Sequence, residues 1–311
     1  MMNRASTGRG GGAVCPSAAA FSALAVLAVS AVAAPPGEQQ REPVTGILGA
    51  MGSETAPIAK ELADRQTRRL LGVTFICGRL RGRRVVLAKT GVGKVNAAMV
   101  TTLLLDHFRP AEVVFTGIAG GVNPQLQPCD VVIGRKLVQH DLGNYTANGL
   151  KARGVRSPVD GSRNPVFLES AKRLVEAAGQ VAKGVSFDPI KTPEGQRRPQ
   201  VTTGVIATGD VFVASGQKRA SLRKRLGADA VEMEGAAVAQ ICHQQRLPFL
   251  VIRGLSDKAD ENVHRDIRRF MQIAAGNAAK LTAAVVGRLA RRAGGAEAGG
   301  EGAGAKVRGE R

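Results

Sequence analysis

The residues best suited to chemistry are three carboxylates that follow two short apolar runs. Glu232 and Glu234 come directly after the first run, and Asp257 follows the second run, Phe249–Ile252. An apolar run of this length after a helix is typical of a parallel strand that is buried on both faces. Charged side chains just past the carboxyl end of such a strand lie where open α/β sheets bind their ligands. The stretch therefore predicts a ligand site with acidic groups.

Two interpretations of the Glu232 and Glu234 pair differ in how far the side chains are buried. An isolated E-x-E sequence usually belongs to a solvated turn. Here Val231, Met233 and a run of alanines surround the pair, which favours partial burial. A partly buried carboxylate needs a charged partner, a hydrogen-bonded ligand or a raised pKa.

Glu54 is a further candidate, at the start of a helix predicted over Glu54–Asp64. A carboxylate at this position is stabilised by the helix dipole, and capping is one interpretation. The other is that Glu54 faces the same cleft as Glu234 and Asp257. Two carboxyl groups on opposite sides of a sugar can hydrolyse a glycosidic bond, one activating water and one protonating the leaving group. The spacing leaves both interpretations open.

Three glycine-bearing loops follow predicted strands, at Gly46–Glu54, Thr90–Val95 and Thr116–Gly121. The first lacks the G-x-G-x-x-G spacing of a dinucleotide site. The second lacks the first glycine of a P-loop and has valine in place of the hydroxyl that would bind magnesium. Because all three follow strands, they predict one cleft in which the backbone approaches a ligand closely.

Alternating apolar patterns predict an α/β fold, a three-layer sandwich with a central twisted mixed β-sheet, in one domain over residues 43–290. Residues 144–200 are rich in glycine, proline and arginine and predict an insertion. The predicted strands are 44–48, 73–80, 84–89, 112–116, 131–138, 203–207, 230–231 and 249–252. The predicted helices are 54–64, 95–108, 166–178, 235–245 and 262–292.

The two ends of the chain have compositions unlike the middle. Basic residues, an apolar run over Phe21–Val32 and small residues before a proline pair predict a signal peptide over 1–34, and hence export to the periplasm or the medium. Cleavage is expected after Ala33 or Ala34, and no second stretch could span a membrane. The segment Arg291–Arg311 consists mainly of glycine, alanine and charged residues, which predicts disorder.

Composition excludes several classes of function. The 311 residues are 44% hydrophobic, which is ample for a core. The net charge of +19 would suit a protein that binds nucleic acid. However, the basic residues are scattered without aromatic neighbours, which argues against a dedicated nucleic-acid-binding protein. Cys77, Cys129 and Cys242 are widely spaced and form neither a disulfide framework nor a metal motif. We expect no metal and no cofactor.

Six motifs resemble those of the 5′-methylthioadenosine/S-adenosylhomocysteine nucleosidases, in the superfamily of purine nucleoside and uridine phosphorylases. They occur in the family's order as GILGAMGSE, KTGVGKVNAA, FTGIAGGVNP, ATGDVF, AVEMEGAAVAQIC and VIRGLSDKAD. The resemblance covers about Val44–Arg288. It implies a hydrolase that releases adenine from a small-molecule nucleoside, in nucleoside metabolism and methionine salvage, and a homodimer.

The resemblance also implies the chemical roles of individual residues. Glu54 matches the carboxylate that activates the attacking water, and Arg253 would lie near that water. Asp257 matches the acid that protonates purine N7, with Ser256 beside it. Glu234 matches the carboxylate that binds the ribose hydroxyls.

The remaining residues of the implied site contact the sugar, the base or the cavity wall. Met233 would pack under the sugar and Phe212 would stack on adenine, while the backbone of Val213 would read the base edge. The other expected substrate-binding residues are Val92, Ile118 and Glu232.

Two departures from the family pattern keep alternatives open. Ile118 stands where the family's T-G-S-A-G-G loop has serine, and the signal peptide is unusual because these enzymes are normally cytoplasmic. One alternative is a nucleoside phosphorylase on the same fold, although phosphate would need hydroxyl and arginine donors. The other is a nucleoside-binding protein with weak or no turnover.

Overall fold

The computed structural model describes residues 42–147, 149–192 and 195–298. The predicted signal peptide over 1–34 lies outside the described residues. The predicted tail is helical over 291–298, and its remainder, 299–311, is outside them as well. Within the described ranges, no helix is long and apolar enough to cross a membrane.

The elements alternate between strands and helices along most of the chain. The strands are β1 Thr45–Gly49, β2 Ala63–Leu70, β3 Val73–Leu80, β4 Arg83–Lys89, β5 Glu112–Gly121, β6 Val131–Gln139, β7 Gly143–Thr146, β8 Gly149–Ala152, β9 Phe167–Glu169, β10 Ile190–Thr192, β11 Gly195–Arg197, β12 Val201–Thr208, β13 Ala230–Glu232 and β14 Phe249–Asp257. The helices are α1 Gly52–Glu61, α2 Lys94–Phe108, α3 Lys172–Ala182, α4 Gly216–Leu226, α5 Gly235–Gln244 and α6 Val263–Ala298.

One mixed sheet organises the molecule, in the order β13-β12-β6-β14-β5-β1-β4-β3-β2, with β9 on β6. Strands β4, β1, β5 and β14 are parallel neighbours, whereas β6 runs antiparallel to β14. The mixed sheet of an α/β fold was predicted correctly. The predicted three-layer sandwich was not, because β13 pairs with β5 as well as with β12, and this part of the sheet closes into a barrel.

Closure follows from the length of β5. Its predicted end was Thr116, but the strand continues through the glycine-rich segment to Gly121. Gly120 and Gly121 pair with Val231 and Ala230 of β13. The segment predicted as a third glycine loop is therefore strand, and it brings β13 beside β5.

The elements that were predicted wrongly or missed are mostly exposed. Strand β2 has the polar sequence ADRQTRRL and exposed residues along nearly its whole length, so no apolar alternation marks it. The predicted helix 166–178 is instead the short strand β9 followed by α3. Helix α4 is strongly basic, with Leu222 as its buried residue, and its sequence carries little hydrophobic periodicity.

The core is aliphatic and lies between the sheet and its helices. Helix α6 packs on β14 and β5, and its Ala274 and Ala278 are buried. On α2, the buried residues are Ala97, Val100, Thr101 and Leu104, while Val95 and Met99 on the same helix are exposed. These two side chains form an exposed apolar strip on α2.

A buried ion pair ties β1, β4 and β5 together at the amino end of the sheet. Glu112 accepts hydrogen bonds from Arg83 Nη2 at 2.8 Å, Arg173 Nη2 at 2.9 Å and Thr45 Oγ1 at 2.7 Å. Burial opposes ionisation of Glu112, but the hydrogen bonds from Thr45 and Arg173 outweigh it and hold the pKa of this carboxyl below its ordinary value.

We expect Thr45→Val to lower the free energy of unfolding by about 1.5–3 kcal/mol, because a buried charge loses a hydrogen bond. Thr45 also accepts from Arg83 Nε at 3.1 Å, so two groups lose a partner. Urea denaturation measures the change. Thr102→Val, at an exposed position of α2, is the matched control. Equal losses of unfolding free energy in both variants would contradict the role of the Thr45 hydroxyl.

Candidate active site

A cavity of about 260 Å³ opens at the carboxyl ends of β1, β5, β13 and β14. All of the predicted site residues except Arg253 line it: Glu54, Val92, Ile118, Phe212, Val213, Glu232, Met233, Glu234, Ser256 and Asp257. Arg253 is fully buried behind the wall. Residues that are 203 positions apart in sequence, Glu54 and Asp257, thus meet at one cavity.

Asp257 lies at the last position of β14, where the register with β5 is irregular. Its Oδ2 accepts from Ser256 Oγ at 2.6 Å, and its Oδ1 accepts from the Ala259 N–H at 2.8 Å. Burial raises the pKa of Asp257 above its ordinary value, while these two hydrogen bonds oppose the rise. A buried aspartic acid that keeps its proton more readily is suited to general acid chemistry.

Glu232 and Glu234 are both buried, as the apolar neighbours in the sequence predicted. Glu232 accepts from Arg253 Nη2, Thr208 Oγ1 and the Gly235 N–H, so its oxygens are engaged by the protein. Glu234 accepts from the Gly93 N–H at 2.9 Å. Its Oε2 lies 3.6 Å from Arg253 Nη2, which leaves this carboxylate more available to a ligand.

Arg253 carries its charge inside the protein behind the carboxylates. Its guanidinium stacks on the Phe115 ring, 4.1 Å from the centroid. Nη2 binds Glu232, whereas Nε and Nη1 have no hydrogen-bond partner among the described residues. Gly117 explains how the guanidinium fits, because a Cβ there would overlap Nη1 and lie 2.6 Å from Glu54 Oε1.

Glu54 fulfils both interpretations of its position geometrically. Its Oε2 accepts from the Met51 N–H at 2.8 Å, which caps α1. Its Oε1 accepts from the Ile118 N–H at 2.8 Å, and the side chain lines the cavity. The carboxylate is therefore held rigidly by two backbone donors.

Apolar side chains form the rest of the cavity wall. Phe212 is half exposed, and its ring stacks on that of His264 with centroids 6.0 Å apart. Val92 and Ile118 come from the second and third glycine-bearing segments. An apolar wall with a few polar groups is usual for a small-molecule site.

Sequence reasoning missed several contributors to this site, and four of them come from β12, α6 and the loop before α2. Thr208 ends β12 and donates to Glu232, and the Gly93 N–H orients Glu234. Ile267 and Met271 bring α6 to the cavity, and their i, i+4 spacing is a signal that could have found them. Within the described ranges, no group of three His, Cys, Asp or Glu side chains could hold a metal ion.

Comparison with known proteins places this site in a family. Residues 44–287 match the model of the phosphorylase superfamily. The chain belongs to the phosphorylase superfamily. A 5′-methylthioadenosine/S-adenosylhomocysteine nucleosidase of Geobacillus kaustophilus is 41% identical over 236 residues, which cover 76% of this chain and 93% of that protein. The resemblance drawn from the six motifs is confirmed.

Solved structures of phosphorylase-superfamily members share the fold. The 5′-methylthioadenosine/S-adenosylhomocysteine nucleosidase of Neisseria meningitidis, in complex with methylthio-immucillin-A, is 35% identical with a TM-score of 0.67, covering 79% of this chain and 99% of that one. Futalosine hydrolase of Helicobacter pylori is 30% identical with a TM-score of 0.67, covering 79% and 98%. The first is named a nucleosidase and the second a hydrolase, and neither is named a phosphorylase.

Glu234 gives this superfamily member a pH-dependent stability. Burial, and next the charge of Glu232, raise the pKa of Glu234 to about 7 from an ordinary value of 4.5. The folded state therefore holds the proton more tightly than the unfolded state does. Glu234 makes its whole contribution to the free energy of unfolding below about pH 4.5. This contribution is lost as pH rises to about 7.

We expect Glu234→Gln to flatten the fall in unfolding free energy between about pH 4.5 and 7, because the group no longer titrates. Urea denaturation at several pH values measures the slope. Glu169→Gln, at an exposed ion pair with Lys136, is the matched control. An unchanged slope in Glu234→Gln would contradict the assignment.

Proposed function

We propose that the protein hydrolyses the N-glycosidic bond of an adenine nucleoside of the 5′-methylthioadenosine or S-adenosylhomocysteine type and releases adenine. The observation that carries this proposal is the meeting of three buried carboxylates, Glu54, Glu234 and Asp257, at one largely apolar cavity. Glycoside hydrolysis uses paired carboxyl groups, one as acid and one as base. The named activities of the relatives support the same reaction.

Asp257 is the general acid in this mechanism. It passes a proton to purine N7, the bond between the sugar C1′ and N9 breaks, and its electron pair leaves with the neutral base. Burial supports the role, because the raised pKa keeps the carboxyl protonated closer to neutral pH. The Ser256 hydroxyl fixes the direction of the carboxyl group.

Glu54 is the general base that takes a proton from the attacking water as the water oxygen bonds to C1′. The two backbone N–H groups of Met51 and Ile118 orient its carboxylate. Arg253 lies behind Gly117, and two of its nitrogens have no hydrogen-bond partner in the part of the chain that the structure describes. It acts by holding Glu232 and by polarising this end of the cavity. Preorganised charges of this kind stabilise a developing transition state.

Glu234, Met233, Phe212 and Val213 recognise the nucleoside. Glu234 accepts from the ribose hydroxyls, and in its ionised form, which is favoured above its raised pKa of about 7, its charge stabilises the oxocarbenium-like sugar. Met233 packs under the sugar, the Phe212 ring stacks on the base, and the Val213 backbone reads the base edge. Val92 and Ile118 contribute the apolar wall.

A phosphorylase on the same fold is the first alternative, and phosphate dependence separates the two reactions. Purified protein should release adenine from methylthioadenosine, and phosphate should not change the rate. Ultraviolet absorbance follows the release. A requirement for phosphate would overturn hydrolysis in favour of phosphorolysis.

A nucleoside-binding protein without turnover is the second alternative, and Ile118 favours it. The side chain narrows the cavity beside Glu54 and supplies no hydroxyl. Binding of methylthioadenosine without adenine release would establish this alternative, and Ile118→Ser would then be the variant to test for turnover. The retention of Glu54, Glu234 and Asp257 together opposes it.

Export and dimer formation complete the proposal. The basic start and apolar run of residues 1–34 support a cleaved signal peptide, and amino-terminal sequencing of secreted protein tests it.

The exposed Val95 and Met99 on α2, close to Val92 at the cavity, support a homodimer interface. Sedimentation of a fully active monomer would overturn the dimer. The adenine nucleosides concerned belong to methionine salvage.

A further inference from the structure

A network of three charged residues lies beside the cavity and contacts no lining carboxylate directly. Lys94 Nζ binds Asp141 Oδ1 at 2.7 Å and lies 3.9 Å from Asp210 Oδ2. The Asp210 N–H donates to Asp141 Oδ2 at 2.8 Å. We call Lys94, Asp141 and Asp210 the clamp. None of the three lines the cavity.

The clamp holds the segment that carries the base-recognition residues. This segment, Gly209–Val213, is here called the base loop, and Phe212 and Val213 line the cavity from it. Asp210 is its second residue, and its side chain accepts the Lys94 N–H at 2.8 Å. The base loop is thereby bonded at Asp210 through both backbone and side chain.

The same turn of chain holds the ribose carboxylate. Gly93 N–H donates to Glu234 Oε1 at 2.9 Å, and the next N–H, that of Lys94, donates to Asp210. Gly93 has a φ of +97°, a conformation that side-chain-bearing residues rarely adopt, and this lets the two successive N–H groups reach their separate acceptors. The base loop and Glu234 therefore share one support.

The Lys94 ammonium is built into this support and is more than a solvated surface charge. Its side chain is 17% exposed, and it also binds Gln139 Oε1 at 3.1 Å. Burial opposes ionisation of Asp141, but hydrogen bonds from Lys94 and the Asp210 N–H hold its pKa below the ordinary value. Charge-assisted hydrogen bonds of this length are among the stronger ones in proteins.

We propose that the clamp positions the base loop for purine recognition, so that Lys94 acts as a positioning residue without touching the substrate. This inference rests on the proposed nucleoside hydrolysis. Loss of the ammonium leaves Asp141 and Asp210 as two facing carboxylates without their shared cation. Their repulsion shifts the base loop, and with it the ring of Phe212 and the backbone of Val213.

The test is Lys94→Met, which keeps the length of the side chain and removes its charge. Calorimetry measures the affinity for free adenine, and steady-state kinetics with methylthioadenosine give kcat and KM. We expect the adenine Kd and the KM to rise about 10-fold and kcat/KM to fall about 10- to 100-fold. Lys94→Arg should recover part of the adenine affinity.

Controls separate positioning from stability and from the reaction itself. Lys136→Met removes a lysine of β6 that pairs with Glu169 of β9 and takes no part in the clamp. This variant should leave adenine affinity unchanged. Asp210→Asn tests the clamp from an exposed position if Lys94→Met does not fold, and it too should weaken adenine binding. Adenine affinity that is unchanged in both Lys94→Met and Asp210→Asn overturns the clamp while leaving hydrolysis intact. A natural chain that neither binds nor releases adenine overturns the proposed function.

Discussion

Asp257→Asn should lower kcat for adenine release by about 10²- to 10⁴-fold, because the amide cannot give a carboxylic proton to purine N7. KM should change much less, since the amide still accepts from the Ala259 N–H. Steady-state kinetics with methylthioadenosine measure both constants. For the natural chain we expect kcat to decline as pH rises through the raised pKa of Asp257, and the variant should lose this decline.

Asp188→Asn is the matched control for this substitution, because Asp188 is exposed and binds Lys280 far from the cavity. It should leave kcat unchanged. Ser256→Ala removes the hydroxyl that donates to Asp257 and should lower kcat by a smaller factor than Asp257→Asn. Full activity of Asp257→Asn would remove the general acid from the mechanism.

Glu54→Gln should lower kcat by about 10²- to 10⁴-fold while the protein still binds nucleoside, because the amide cannot take a proton from water. Both Glu54 oxygens accept backbone N–H groups, so the amide nitrogen must face one of these donors. We therefore expect a lower thermal midpoint as well. Single-turnover kinetics on folded protein separate the two effects.

Glu61→Gln on the same helix is the control for Glu54→Gln, because Glu61 makes an exposed ion pair with Arg81. Both its thermal midpoint and its kcat should stay close to those of the natural chain. Unchanged adenine release by folded Glu54→Gln would contradict its role as the base. Loss of nucleoside binding in that variant would instead assign Glu54 to recognition.

The apolar runs carry most of the information that made the fold predictable. Strand β14 is buried along its whole length, and it begins with the continuous apolar run Phe249–Ile252. Closure of the sheet was not predictable in this way, because it depends on β5 continuing through Gly117, Gly120 and Gly121. Glycine in a strand packs no side chain and looks like a turn in sequence.

Site residues were predictable where a charged side chain follows an apolar run, as Glu234 and Asp257 do. The grouping of Asp257 with Glu54 follows from the parallel strands β1, β5 and β14, which end at one edge of the sheet. Glu234 joins them because β13 pairs antiparallel with the end of β5. The backbone donors, the N–H groups of Gly93 and Ile118, were not predictable. Every residue except proline has a backbone N–H, so the residue type does not show which of them faces the site. The clamp was missed for a related reason: Lys94 begins α2, whereas Asp141 and Asp210 lie in the loops after β6 and β12, and the three are distant in sequence.

The identity of the sugar product tests hydrolysis most directly. Natural protein is incubated with methylthioadenosine in excess phosphate, and the products are examined by phosphorus NMR and chromatography. Water as the nucleophile predicts adenine and free methylthioribose in equal amounts, with inorganic phosphate as the sole phosphorus signal. A sugar 1-phosphate among the products, or nucleoside that stays intact, would contradict the mechanism built on Glu54 and Asp257.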